Sequence, residues 1–321
     1  MQLNQHIVPA ALALVLSFAS AAADPTLLVV VKGEHSVQLF NALTLDSLAM
    51  IRTGQKPHEI VASPDGRYAY VSNYKGRDNS VTIIDIAKRK NIGEIPLAPY
   101  SHAHGLDISS DGSRLYVTVE SRRCAVEIDL ASREVTRAFK TQEQVSHMCS
   151  LAPDDQTFVI SNSRAGNVSV FDLATGEMVR YIVSGRGVEG SDFTPDGRFL
   201  WTANGDANTV AVLDLETGRR IKVMERPGFP LRIRITPDGK EAWVTCATFS
   251  KVAVFDTESF DQIAEVRVGN VPIGITIDAT GERVYVTNQD DNNLVMIDRA
   301  QKKIIQTVDT GPRPDGITWI R

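Results

Sequence analysis

The chain has 321 residues, 43% hydrophobic and 23% charged, the composition of a soluble globule. A formal net charge of −5 with no block of Lys or Arg argues against nucleic acid as a partner. The three cysteines, Cys124, Cys149 and Cys246, are too scattered for a disulfide framework and read as buried free thiols. No Cys-x-x-Cys pair exists, so covalent haem attachment of the c type has no support.

The N-terminus reads as a secretory signal over residues 1–23. An apolar stretch from Ile7 to Phe18 is followed by small residues to Ala23, then Asp24-Pro25. Ala21-Ala22-Ala23 suits a small-x-small cleavage site, although no Lys or Arg precedes the apolar stretch; a retained anchor is the alternative. That stretch is short for a membrane span and no later segment is longer, so the expectation is a soluble periplasmic or secreted protein without a membrane span. Residues 24–321 form a single expected domain.

Leu27 to Thr53 supplies three short strands. A recurring phrase then begins: SPDGRYAYVSN from Ser63, SSDGSRLYVTV from Ser109, APDDQTFVISN from Ala152, TPDGRFLWTAN from Thr194, TPDGKEAWVTC from Thr236 and DATGERVYVTN from Asp278. Its anchors Asp65, Asp111, Asp154, Asp196, Asp238 and Thr280 are spaced by 46, 43, 42, 42 and 42 residues. A fixed period of this length marks one supersecondary unit per repeat. Within the first unit, His58–Ser63, Tyr68–Ser72, Ser80–Ile86 and Asn91–Leu97 read as four strands separated by turn residues. Helical periodicity is absent from residue 24 onward. The last segment, GPRPDGITWIR from Gly311, matches only the opening strand of a unit. The fold class is therefore all-β, a seven-bladed β-propeller of four-stranded antiparallel blades closed by pairing of the N- and C-terminal strands.

On these phrases the chain resembles the YVTN-repeat family of seven-bladed propellers, the group of surface-layer and YncE-like periplasmic propellers. The resemblance covers Leu27 to Arg321. It implies the fold strongly and the function weakly, because propellers host binding, scaffolding and catalysis alike.

Seven residues before each anchor stand His58, His104, His147, Glu189, Leu231 and Ile273, with Asp315 equivalent in the closing strand. Three of the chain's six histidines thus share one structural position in successive blades, and a carboxylate follows. Such a set is that of a divalent transition metal (zinc, copper, nickel or iron), or of general acid–base chemistry. A water-filled polar mouth is the plain alternative. His102 stands beside the arc as a supporting or exposed residue. Loops on the same rim carry Asn73, Tyr74, Glu120, Arg122, Arg164, Asn204, Asp206 and Gln289, and Arg232 joins Asp315 among the rim candidates. Asp107, Asp192 and Arg234, four residues before their anchors, are expected to line the channel as a charge network. Trp201, Trp243 and Trp319 read as packing.

The first functional expectation is a monomeric binding or scaffold propeller that takes a small-molecule or protein ligand at its loop face. The alternative is a metal-assisted or acid–base hydrolase or lyase of the lactonase kind. Whether the protein is an enzyme is left open by these residues. A third resemblance, to the haem d1 propeller whose histidines contact a tetrapyrrole, departs in blade number, since that family has eight. No Ser-centred elbow supports nucleophilic catalysis.

Overall fold

The computed structural model describes residues 24–75 and 79–321; the expected signal segment, residues 1–23, lies outside the described residues. The repeat folds into seven four-stranded antiparallel sheets. From the channel outward, blade 2 runs Pro57–Ala62, Tyr68–Asn73, Ser80–Asp85 and Lys90–Pro96, close to the strands expected from its sequence. Blades 3 to 7 open with the inner strands Ala103–Ile108, Ser146–Leu151, Val188–Phe193, Pro230–Ile235 and Pro272–Ile277. Blade 1 combines Thr26–Val31, Ser36–Asn41 and Ser47–Arg52 with the C-terminal strand Pro314–Ile320 as its innermost member. That closure pairs Leu27 with Trp319 and Val29 with Ile317. The seven inner strands contact one another in sequence around the channel, and the ring leaves no blade-to-blade edge open. Among the described residues, only three one-turn 3-10 segments depart from strand and turn, and no helix is long and apolar enough to cross a membrane.

The repeated phrase has a separate physical job for each letter. In the turn, Ser63 Oγ and the Arg67 N–H both donate to Asp65 Oδ1, at 2.6 and 3.0 Å. Gly66 follows with φ 69°, where a Cβ would be strained. Thr194 and Thr236 repeat the arrangement on Asp196 and Asp238. The hydroxyl late in strand two joins blades: Thr118 Oγ1 accepts the Gly105 N–H at 2.7 Å and donates to the His147 carbonyl of the next blade at 2.6 Å. Thr245 and Thr287 do the same toward Ile273 and Asp315.

Apolar residues alternate along the middle strands and meet those of the neighbouring blade, so the core lies between blades. Trp201 packs with Ile233, Val244 and Phe255 of blade 6, while Trp243 packs with Ile275, Val284 and Val286 of blade 7. Both are completely buried, as a packing role requires, and Trp319 is partly buried against the blade 1 and 7 core. The three cysteines are free and buried. Burial pushes the Cys124 thiol up to about 11 and Cys246 up to about 12, which keeps them protonated and unreactive.

Candidate functional site at the channel mouth

His58, His104, His147, Glu189, Leu231, Ile273 and Asp315 each occupy the second position of an inner strand. Five polar members in blades 1 to 5 therefore face two apolar ones in blades 6 and 7 around the mouth. A register shift follows this position in every blade from 2 to 7, for example between Pro57 and Ile60 and between Val188 and Gly190. In each case it frees the second residue, the site position itself, from regular pairing; in blades 2, 3, 6 and 7 the third residue is freed as well. Glycines fill that third position at Gly105, Gly190, Gly274 and Gly316 because the inner strands approach closely there. A Cβ at Gly190 would lie 2.7 Å from the Leu231 carbonyl oxygen and 3.0 Å from Arg232 Cα.

The three imidazoles meet in a fan. His104 and His147 have ring centroids 3.9 Å apart at 33°, and His58 and His104 are 4.8 Å apart at 50°. Tyr74, from the loop after strand two of blade 2, packs on His58 at 4.9 Å and on His102 at 5.0 Å. His147 is held from both ends: Nδ1 lies 2.8 Å from Glu120 Oε1 and Nε2 lies 3.0 Å from Glu189 Oε2. Tyr74 donates to the other Glu120 oxygen at 2.7 Å, and Ser163 donates to the other Glu189 oxygen at 3.3 Å. A hydrogen-bonded chain thus runs Tyr74, Glu120, His147, Glu189, Ser163 across four blades.

Electrostatics differentiate the imidazoles. Burial alone would depress His147, but the hydrogen bonds to Glu120 and Glu189 outweigh it and carry it up to about 9. Burial would raise Glu120 and Glu189, yet the bonds from His147, and from Tyr74 to Glu120, hold both below the ordinary carboxylate range. His147 is thus an imidazolium donating to two carboxylates. His104 is driven well below its ordinary value by burial and by its charged neighbour His147. His58 is lowered by burial. Its Nδ1 lies 2.9 Å from the Lys56 carbonyl oxygen. A carbonyl only accepts, so Nδ1 carries the proton and Nε2 keeps its lone pair. His104 Nδ1 is buried with no hydrogen-bond partner.

Beneath the arc, Glu59 and Arg232 form an ion pair across the bore, with Arg232 Nε donating to Glu59 Oε1 at 3.1 Å. Arg232 Nη1 also donates to the Glu189 carbonyl at 3.2 Å. Below them lies a cavity of about 210 Å³ lined by Asp107, Ser150, Asp192 and Arg234 among others. The charged residues line the channel, where Arg234 acts on both Asp107 and Asp192 through space. Asp107 and Asp192 also accept the Leu151 and Ile235 N–H groups of the next blade, each at 2.7 Å. Burial pushes Asp107 up to about 6 and also raises Asp192.

The rim candidates divide. Glu120 belongs to the hydrogen-bonded chain, Asp315 pairs with Lys32 at 2.5 Å, and Arg232 forms the floor. Asn73 and Asn204 do not face the rim: both are fully buried, because their amides bind hydroxyls of strand three (Ser80 and Thr82, and Thr209) and so pin the blade hairpin. Arg122 is exposed, and Arg164 is exposed with Gln144 as its partner at 3.5 Å. Among the described residues no group of three or more His, Cys, Asp or Glu is arranged to hold a metal ion. Both nitrogens of His147 are already committed to carboxylates, which takes it out of any such set.

Sequence reading missed four rim residues. Glu59 was legible, since it stands six before its anchor, as Arg232 does in blade 6. Ser163 was legible too, since it stands nine after its anchor as Tyr74 and Glu120 do; Lys32 holds the same position in blade 1, directly after strand two, where no anchor phrase marks it. Phe229, 39% exposed, lies in the loop before blade 6, where its ring and the Glu189 side chain both flank Gly205.

Fold and site together define a seven-bladed propeller with an imidazole–carboxylate mouth. A family model described as YNCE-like beta-propeller matches residues 79–280, more than half of the chain, and the protein belongs to that family. A second model, the cytochrome D1 heme domain, matches residues 23–120. No curated protein matches significantly. Among solved structures, Kuenenia stuttgartiensis hydrazine synthase is similar at 23% identity and TM-score 0.75, covering 84% of this chain and 91% of that one. A functionally unknown protein from Desulfotomaculum acetoxidans DSM 771 is similar at 16% identity and TM-score 0.80, covering 93% and 99%. Dihydro-heme d1 dehydrogenase NirN in complex with DHE is similar at 19% identity and TM-score 0.69, covering 91% and 74%. At these identities the likeness shows the fold.

Proposed function

We propose that this protein is an exported binding propeller whose mouth receives a haem-type metal macrocycle, with His58 and His104 as the metal-facing imidazoles. The observation that carries this reading is the 2.9 Å contact between His58 Nδ1 and the Lys56 carbonyl oxygen. With Nδ1–H donated to the Lys56 carbonyl, Nε2 presents a lone pair, as metal-ligating histidines commonly do when a carbonyl holds their other nitrogen. A bare transition-metal ion held by all of His58, His104, His147 and Glu189 fits less well, because His147 has no nitrogen to give. A ligand bringing its own metal needs one or two imidazoles, and two neutral ones stand side by side. The cytochrome D1 heme domain match, residues 23–120, spans both histidines and supports this ligand class. Export rests on the signal-like segment 1–23, and N-terminal sequencing of the exported chain should begin at Asp24.

Protohaem titrated into residues 24–321 should show a saturable, one-to-one shift of its main absorption band. The shift should vanish in the His58→Ala/His104→Ala double variant. No saturable binding, or binding indifferent to both histidines, would sink the reading.

Turnover is the second reading, favoured by one observation. His104 and His147 are adjacent imidazoles whose environments push their proton affinities apart, the arrangement that general acid–base catalysis uses. A lactone-opening or eliminating activity lost in His104→Gln would support it. Screening the wild type against lactones and finding no rate above background would remove it.

A further inference from the structure

The rim beside His58 is positively charged although the whole chain is acidic, with a net charge of −5. Four cationic residues, Lys32, Lys56, Lys75 and Arg313, come from loops of blades 1 and 2 that are stitched together. The Lys32 N–H donates to the Arg313 carbonyl at 3.1 Å, and the Lys75 N–H to the Gln55 carbonyl at 3.2 Å. The Lys56 N–H donates to His35 Nδ1 at 3.1 Å, and the Lys56 carbonyl binds both the Tyr74 N–H and the His58 ring. Only Lys32 among the four has a carboxylate partner among the described residues, Asp315; Arg313 reaches the neutral Gln289 at 2.9 Å. Lys56, Lys75 and Arg313 are exposed. Holding like charges on fixed backbone is unfavourable unless an anion offsets it. Across the mouth, the loops before blades 5 and 6 carry Arg186 and Arg226, and that side also offers the exposed Phe229 ring, beside Gly205 and Glu189, and the apolar Leu231.

We infer that the ligand of this mouth is a flat molecule bearing carboxylates on one edge, which lie against Lys32, Lys56, Lys75 and Arg313. Its body covers the imidazole fan and its apolar edge reaches Phe229. This deepens the proposed binding function and rests on it for the location of the ligand. The acidic edge is what gives the ligand one orientation among those a seven-fold ring would otherwise allow.

The test compares protohaem with its dimethyl ester, which keeps the flat body and removes both carboxylate charges. Each is titrated into wild-type residues 24–321 and into Lys56→Gln/Lys75→Gln/Arg313→Gln, a variant of exposed side chains whose fold is checked by circular dichroism. Wild type should bind the diacid roughly tenfold more tightly than the ester, as the loss of a few exposed ion pairs implies. The triple variant should bind the two alike, and added salt should weaken only the wild-type diacid complex. Equal binding of acid and ester by wild type overturns the inference while leaving the proposed function intact. If neither porphyrin binds, the proposed function fails, and benzenetetracarboxylate decides the inference. Binding of that probe by wild type but not by the triple variant upholds the cation cluster as a carboxylate receptor; no binding overturns it.

Discussion

Glu59 and Arg232 lie 173 residues apart in sequence and meet across the channel, one from blade 2 and one from blade 6, forming a strut beneath the histidine fan. Each side chain is 12% exposed, so the pair is largely desolvated. Removing one partner strands a buried charge, which typically costs about 3–5 kcal/mol, whereas replacing both with apolar residues is often neutral. Arg232→Met should therefore destabilise the protein strongly, and Glu59→Leu/Arg232→Met much less. Urea denaturation of the two variants checks this, and equal losses would contradict it.

The histidines predict opposite titrations. His147, raised to about 9, contributes stability that is complete below its unfolded value near 6.5 and is lost as pH rises through 9. Glu120 and Glu189, held low, contribute stability that is present above the ordinary carboxylate value and lost on acidification. His104, also held low, adds stability above 6.5 that falls away as the solution is acidified. Histidine NMR should show the His147 ring charged at pH 8 and the His104 ring neutral at pH 6. The reverse assignment would refute the electrostatic picture.

Thr118 supplies both a donor and an acceptor between blades 3 and 4. Thr118→Val leaves the Gly105 N–H and the His147 carbonyl unsatisfied in a buried place, with an expected loss of about 1–3 kcal/mol. Thermal unfolding measures that loss. The displaced His147 backbone should also register as a changed His147 titration, which a purely local packing defect would not produce.

Gly190→Ala places a methyl group against the Leu231 carbonyl and Arg232 backbone. Overpacking of this kind costs roughly 1–3 kcal/mol. Because Glu189 is the neighbouring residue, the variant should also weaken its bond to His147 and lower the His147 proton affinity. An unperturbed His147 would show that the strands can separate without cost.

The repeat made most of the fold legible. A 42-residue spacing with turn residues at fixed offsets leaves little choice beyond stacked four-stranded units, and the half-repeats at Leu27 and Gly311 signalled the closure. It also gave the arc, since equivalent register positions become neighbours around a ring. What it did not give was the distinction between a rim residue and a hairpin pin. Asn73 ends strand two at the rim in sequence, yet its amide turns inward to Ser80 and Thr82. Nor could the sequence show that His147 donates from both nitrogens, because Glu120 arrives from a loop of another blade whose direction only packing sets.

Closure of blade 1 by Pro314–Ile320 ties two functions to one strand. The strand that seals the circle follows all the other described strands in sequence, and it carries Asp315, the counter-ion of Lys32. A polypeptide interrupted before Pro314 would leave Thr26–Val31 with one side unpaired and Lys32 without its carboxylate. Loss of this one strand would therefore unzip the wheel and disarm its opening together.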